Sequence, residues 1–194
     1  ARCGRATMPR PGGDLIGRRR IDTHLLALEG LGAQCHVNHK NYTMYTDGRL
    51  VGADLFLDEM SVTATENAIM AAILARGTTI IRNAASEPHV QDLIAFLQGL
   101  GARIKGTGTN VLTIRGVEGL SGGAYRIQPD HTEIGSLIAL AAVTHSEIII
   151  KDTVPEHLRM TLMVFNRLGV NVQIKGNDII VPRHDRLHVT PDAH

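Results

Sequence analysis

Leu100-Gly101-Ala102-Arg103-Ile104-Lys105-Gly106-Thr107-Gly108-Thr109-Asn110-Val111-Leu112-Thr113-Ile114 reads as a helix end, a short strand, a polar turn and a second strand. Gly101 supplies the left-handed residue that closes a helix. The strands are Arg103 to Lys105 and Val111 to Ile114, with turn formers between them. The same order occurs twice more. Leu31-Gly32-Ala33 leads into Gln34 to Val37, the turn Asn38-His39-Lys40-Asn41 and Tyr42 to Tyr45. Leu168-Gly169-Val170 leads into Asn171 to Ile174, the turn Lys175-Gly176-Asn177 and Ile179 to Val181. The three caps are 69 and 68 residues apart, which identifies an internal repeat.

A second helix repeats in the same frame. Ala64 to Arg76 ends at Gly77 before Thr78-Thr79-Ile80-Ile81, and Glu133 to Thr144 leads into Glu147 to Ile150, with Ile80 and Ile148 68 positions apart. Thr63 and Glu66 have the spacing of a capping box, and Ile69, Met70, Ile73 and Leu74 form a stripe expected to be core. A repeat of two helices and several strands is too long and too mixed for a common solenoid. It suggests βαβαββ-like units that pack around shared helices with their sheets outward. Gln128-Pro129-Asp130 interrupts the pattern and predicts an extended crossing, hence a boundary. The expected division is 1–127 and 128–194.

Composition limits the function classes. The chain has 194 residues, 43% of them hydrophobic, enough for one large domain or two small ones. Lys and Arg number 20 against 19 acidic residues, a net charge of +1, so no general pull toward nucleic acid or acidic membranes is expected. Few aromatics and no basic surplus count against an RNA-binding module built on Arg18 to Arg20. Cys3 and Cys35 are too few for a disulfide framework, no apolar run spans a bilayer and no secretory signal is visible, so a cytoplasmic protein is expected. His36 with His39, and His184 with His188, lack a repeated cysteine or carboxylate partner and read as surface histidines; no metal and no cofactor are expected.

The densest chemical signal is Pro9-Arg10-Pro11-Gly12-Gly13-Asp14-Leu15-Ile16-Gly17-Arg18-Arg19-Arg20-Ile21-Asp22-Thr23-His24. A glycine pair permits close approach to a ligand, arginine forks match phosphate and carboxylate oxygens, and the following helix start adds backbone donors. The segment reads as a phosphate grip beside a lone acid; an exposed basic turn with a solvated aspartate is the alternative. It lacks the lysine ending of a Walker loop.

Pro11 to Arg19 followed by Asp22-Thr23-His24 resembles the catalytic loop of the UDP-N-acetylglucosamine enolpyruvyl transferase family. Further matches run in order: Ser61-Val62-Thr63-Ala64-Thr65, Gly77 to Ile81, Asn83 to Pro88, Leu100-Gly101-Ala102, Gly122 to Arg126 and Pro129 to Glu133. The resemblance covers nearly the whole chain. It implies an α/β (α+β) inside-out barrel of repeated βαβαββ units in two lobes, here incomplete. Residues 1–127 would be the last two units of one lobe and 128–194 the first unit of the other. With no initiator methionine before Ala1, the chain is expected to be an internal piece of a longer enzyme, inactive alone because other family site residues fall outside it.

The resemblance also implies roles. The family joins the 3-hydroxyl of UDP-N-acetylglucosamine to C2 of phosphoenolpyruvate, delivers a proton to C3, and expels phosphate, a step that starts peptidoglycan precursor synthesis. Asp14 stands where the family usually has its proton-donating loop cysteine; an aspartic acid serves if closure raises its pKa, but the thiolate nucleophile is lost. Arg19 takes the place of the arginine that holds phosphoenolpyruvate. Arg20, Ile21, Asp22, Thr23 and His24, with Met60, Ser61 and Val62, take the places of segments that contact the sugar nucleotide. Arg20 replaces a frequent proline and Glu59 a frequent lysine, the latter an unfavourable neighbour for a pyrophosphate. Glu87 and Asp130 to Glu133 fall near the cleft and lobe junction, Glu87 reading first as a helix-start charge. The expected partners are the two substrates and the remainder of the same enzyme chain. Two rival readings are the sister enzyme acting on shikimate 3-phosphate and a non-catalytic sugar-nucleotide sensor.

Overall fold

The computed structural model describes residues 3–9 and 21–188. The loop residues Asp14, Arg19 and Arg20 lie outside these. The chain divides into two compact units between Arg126 and Ile127.

The first unit runs β1 (Arg5–Pro9), α1 (Asp22–Gly30), β2 (Gln34–Val37), β3 (Asn41–Tyr45), β4 (Asp54–Phe56), α2 (Val62–Ile73), β5 (Thr78–Arg82), α3 (Pro88–Gly99), β6 (Arg103–Lys105) and β7 (Val111–Arg115). Strands β1, β3 and β2 make an antiparallel sheet in that order. The second sheet has the order β4-β5-β7-β6; β4 lies parallel to β5 and the remaining pairs are antiparallel. The stretch β4 to β7 is therefore one complete βαβαββ repeat. The second unit runs α4 (His131–Val143), β8 (Ile148–Ile150), a 3-10 turn (Pro155–Leu158), α5 (Arg159–Arg167), β9 (Gln173–Lys175) and β10 (Asp178–Val181), with sheet order β8-β10-β9.

The helix caps anticipated at the three glycines are present. Gly32, Gly101 and Gly169 have φ of 93°, 103° and 78°. The following amide reaches back five residues each time: Ala33 N–H to the Leu28 carbonyl at 3.0 Å, Ala102 to Leu97 at 3.0 Å and Val170 to Phe165 at 2.9 Å. This bond satisfies a helix-end carbonyl and turns the chain into the next strand. The sheets repeat as well, since β1-β3-β2, β5-β7-β6 and β8-β10-β9 share one order and antiparallel sense.

The core of the first unit is built on α2, which packs against α1, α3, β5 and β7. Ile69 and Ile73 are buried among Leu31, Leu55, Ile81, Ile94, Leu112 and Ile114. Each such side chain contributes about 1.5–3 kcal/mol on burial. Ala64, Ala68, Ala71 and Ala75 are buried too, their small side chains letting neighbours approach. Arg49 closes the far end of α2: its guanidinium donates to the carbonyls of Leu74 (3.0 Å) and Val117 (2.9 Å) and pairs with Glu118 at 2.6 Å. Tyr125 ties the segment after β7 to α3, donating to Asp92 Oδ1 at 2.7 Å with its ring against Phe96. Burial, then Asp92, pushes its phenol pKa up to about 12.

In the second unit Ile134, Ile138, Leu158, Val170, Ile179 and Val181 form a smaller core. No residue of α5 is fully buried, and Met160, Met163 and Val164 are exposed on it.

Four sequence expectations change. The cap of α2 is Ser61, whose Oγ accepts the Ala64 N–H at 3.3 Å, so Thr63 and Glu66 form no capping box. Met70 faces outward instead of joining the Ile69 and Ile73 stripe, because the core lies on the alanine and isoleucine faces. The strand expected at Asn171 to Ile174 runs Gln173–Lys175. His184 is not on the surface: it is 7% exposed, its Nε2 accepts the Asn171 N–H at 2.8 Å, and its carbonyl accepts from His145 Nδ1 at 2.5 Å.

Candidate functional site

The candidate substrate-contacting segments, separated by about forty residues of sequence, meet where α1 and α2 begin. Ile21 is the residue before α1, with φ −122° and no side-chain cap, and its carbonyl accepts from the amides of His24 and Leu25 at 3.1 and 3.3 Å. The amides of Asp22 and Thr23 precede the helical ladder. On α2 the Ala64 amide is taken by Ser61 Oγ and the Thr65 amide by the Ser61 carbonyl at 3.0 Å. The Val62 and Thr63 amides likewise precede the ladder. Two helix starts thus bring their positive dipole ends to one end of the first unit, an arrangement that favours anions.

Side chains lock the two starts together. Thr23 Oγ1 donates to Asp58 Oδ1 at 2.6 Å, and Thr23 is 2% exposed. Its hydroxyl is therefore withdrawn from any ligand, leaving the backbone of that residue as its possible contribution. His24 Nδ1 lies 2.7 Å from Asn67 Nδ2, and His24 Nε2 lies 3.4 Å from Thr63 Oγ1. Because an amide nitrogen can only donate, Nδ1 accepts, the ring proton sits on Nε2, and Nε2 donates to Thr63. Burial lowers the His24 pKa, in keeping with that neutral form. Behind the pair, buried Thr65 donates to the Ser61 carbonyl at 2.7 Å and accepts the Ala85 amide at 3.0 Å, which joins the start of α2 to the loop before α3.

The other anticipated residues fall as follows. Asp22 is exposed on the first turn of α1. Met60 is 50% exposed just ahead of α2, Ser61 caps it, and Val62 is half-buried against the core. The Ser61 hydroxyl spends its lone pair on Ala64 and keeps its own proton for donation. Glu59 is exposed beside Met60. Glu87 precedes α3 without a side-chain cap bond, with Pro88 at the first helical position. In the second unit Asp130 caps α4, accepting the Thr132 N–H at 2.8 Å. Asp14, Arg19 and Arg20 lie outside the described residues.

Two side chains at this site, Asp58 and Asn67, have no counterpart in the sequence reading. Their partners are 35 and 43 positions away, and nothing in local spacing announces such a bond.

Comparison with known proteins adds independent findings. Residues 2–192 match the family model described as EPSP synthase (3-phosphoshikimate 1-carboxyvinyltransferase). The chain is 55% identical over 192 residues to a UDP-N-acetylglucosamine 1-carboxyvinyltransferase of Bradyrhizobium diazoefficiens, covering 99% of this chain and 44% of that protein. It is 52% identical to a protein of the same name from Treponema denticola, covering 99% and 45%. The chain thus spans less than half the length of these curated relatives. Among solved structures, the enolpyruvyl transferase NikO from Streptomyces tendae superimposes with a TM-score of 0.79 at 19% identity, covering 96% of this chain and 45% of that one. EPSP synthase from Acinetobacter baumannii gives 0.64 at 18%, covering 91% and 42%. At these identities the two structures speak for the fold.

Proposed function

The chain belongs to the EPSP synthase family of enolpyruvyl transferases, and on that footing we propose that it is part of an enzyme that transfers the enolpyruvyl group of phosphoenolpyruvate to the 3-hydroxyl of UDP-N-acetylglucosamine. The observation that carries the reading is that Thr23 and His24 at the start of α1 bond to Asp58, Thr63 and Asn67, which flank Met60 to Val62 at the start of α2. Its substrate is favoured by identities of 55% and 52% to relatives named for that sugar nucleotide. The family model carries the shikimate name, so 3-phosphoshikimate is the second reading; the solved EPSP synthase is only 18% identical.

In this reading the sugar 3-oxygen attacks C2 of phosphoenolpyruvate while C3 gains a proton, and the tetrahedral intermediate then loses phosphate. Asp14 is the proton donor, Arg19 holds the phosphoenolpyruvate anion, and Arg20 with the first turns of α1 and α2 meets the sugar nucleotide. Positioned donors at developing charge, together with fixed orientation, supply most of the rate enhancement in such chemistry. Neither metal nor organic cofactor has a part in it. Residues 1–127 serve as two repeats of one lobe and 128–194 as the first repeat of the other. Among the described residues no helix is long and apolar enough to cross a membrane.

Phosphate release from phosphoenolpyruvate with UDP-N-acetylglucosamine, by the full-length polypeptide that contains this sequence, tests the reading. Turnover should fall by a factor of about 100 or more in Asp14→Asn, as expected for loss of a general acid. Turnover with 3-phosphoshikimate instead would select the second reading, and sugar-nucleotide binding without turnover would make the protein a sensor. Fosfomycin, which alkylates the family's loop cysteine, should leave the Asp14 peptide without a mass shift.

A further inference from the structure

We propose that Asn67 is a positioning residue of the sugar-nucleotide site: its side-chain amide holds the His24 ring as the neutral tautomer with the proton on Nε2, and so fixes the first turn of α1 against the start of α2. The inference rests on the function proposed above for the role of this corner, but the clamp itself follows from geometry. Asn67 is exposed on the second turn of α2, where an asparagine is a poor helix former and tends to draw the backbone away from the ladder. Its amide is instead directed at His24 Nδ1 at 2.7 Å, 43 residues away.

The direction of each bond determines the chemistry of the corner. Asn67 Nδ2 has protons and no free lone pair, so Nδ1 must accept. Nε2 then carries the ring hydrogen toward Thr63 Oγ1 at 3.4 Å. A second proton on the ring would put an N–H against the Asn67 amide protons and break the clamp unless the amide turned over. Burial works in the same direction. On the other side of the turn Asp58, a carboxylate that only accepts, receives the Thr23 hydroxyl proton at 2.6 Å. The first turn of α1 is therefore pinned on both flanks, one through Thr23 and one through His24. Among the described residues the ionisable groups on these segments are acidic: Asp22 on α1, Asp58 and Glu59 ahead of α2, and Glu66 on α2. A neutral His24 leaves the attraction for a diphosphate at this corner to the helix amides. Asn67 acts through His24 and touches no reacting atom.

The test combines nitrogen-15 NMR of histidine-labelled protein with kinetics of the full-length polypeptide. In the wild type, His24 Nε2 should carry the proton and Nδ1 should show the shift of an unprotonated ring nitrogen near neutral pH. Asn67→Ala should mix the tautomers and raise the KM for UDP-N-acetylglucosamine roughly three- to tenfold, the range expected for one lost hydrogen bond. The KM for phosphoenolpyruvate and kcat should change less. Asn67→Asp places a carboxylate against Nδ1, so the proton should move to that nitrogen, the His24 titration should move up by about one pH unit or more, and the sugar-nucleotide KM should become pH-dependent between pH 6 and 8. A purely structural asparagine would lower the melting temperature without moving the ring nitrogens or that pH profile. A proton on Nδ1 in the wild type, or an Asn67→Ala protein with unchanged tautomer and unchanged KM, overturns the proposal. A polypeptide that neither binds nor turns over UDP-N-acetylglucosamine sinks the functional reading instead, while the ring nitrogens still decide the clamp.

Discussion

Helices α2 and α4 occupy the same place in successive repeats and are treated differently by their surroundings. Matched from their caps, Ser61 and Asp130, both helices bury the same face: Ile69 corresponds to Ile138, Ala72 to Ala141 and Ile73 to Ala142. The opposite face separates them. Ala68 and Ala71 of α2 are buried at 0% and 5% exposure, whereas the matching Leu137 and Leu140 of α4 are 38% and 55% exposed. Helix α2 is flanked by α1 and α3, and alanine is the residue that lets helices come close. Helix α4 packs within its unit on β8, β10 and the 3-10 turn, with Leu137, Leu140 and Val143 left uncovered. The repeat thus specifies which face meets the sheet. Neighbouring helices decide how large the residues on the other face can be.

The largest expected effect is in the enclosed core. Ile69→Ala should destabilise the first unit by about 2–5 kcal/mol, since the surrounding side chains can collapse only partly into the space. Ile138→Ala should cost less, because its core is bounded on fewer sides. Hydrogen exchange resolved by unit separates the two, and a costlier Ile138→Ala would break the comparison.

Next comes the exchange of sizes on the opposite face. Ala68→Leu should overpack α2 and cost about 1–3 kcal/mol, while the reciprocal Leu137→Ala should change stability by about 0.5 kcal/mol or less, as at exposed positions generally. Chemical denaturation of both variants measures this directly. Equal costs would show that α2 is not enclosed as described.

The smallest effect should be the same in both repeats. Ser61→Ala and Asp130→Ala each remove a side-chain acceptor at a helix start, and each should cost about 1 kcal/mol. A difference in melting temperature much beyond that shared loss would mean that one cap has work outside its helix. Ser61 is the one to watch, because its hydroxyl stands at the candidate site.

Much of the architecture was legible without coordinates. The three Leu-Gly caps and the strand pairs after them follow from hydrogen bonds and turns that close within about six residues, so their requirements are written next to one another in the chain. The candidate substrate-contacting segments could be singled out only through family resemblance, since composition alone left the arginine-rich loop open between a phosphate grip and a solvated turn. The α2 cap was misplaced because Ser61 and Thr63 can both cap a helix. The extended backbone at Ser61, with ψ of 127°, decides between them, since its Oγ then accepts the Ala64 N–H.

By itself, the sequence determined the repeat, its caps and the residue types at the candidate site. Only the tertiary structure decided that Met70 faces out, that His184 is buried, and that Asp58 and Asn67 hold Thr23 and His24. Local patterns are decided by bonds between near neighbours, whereas these pairings join residues that become neighbours only after α1 and α2 have packed.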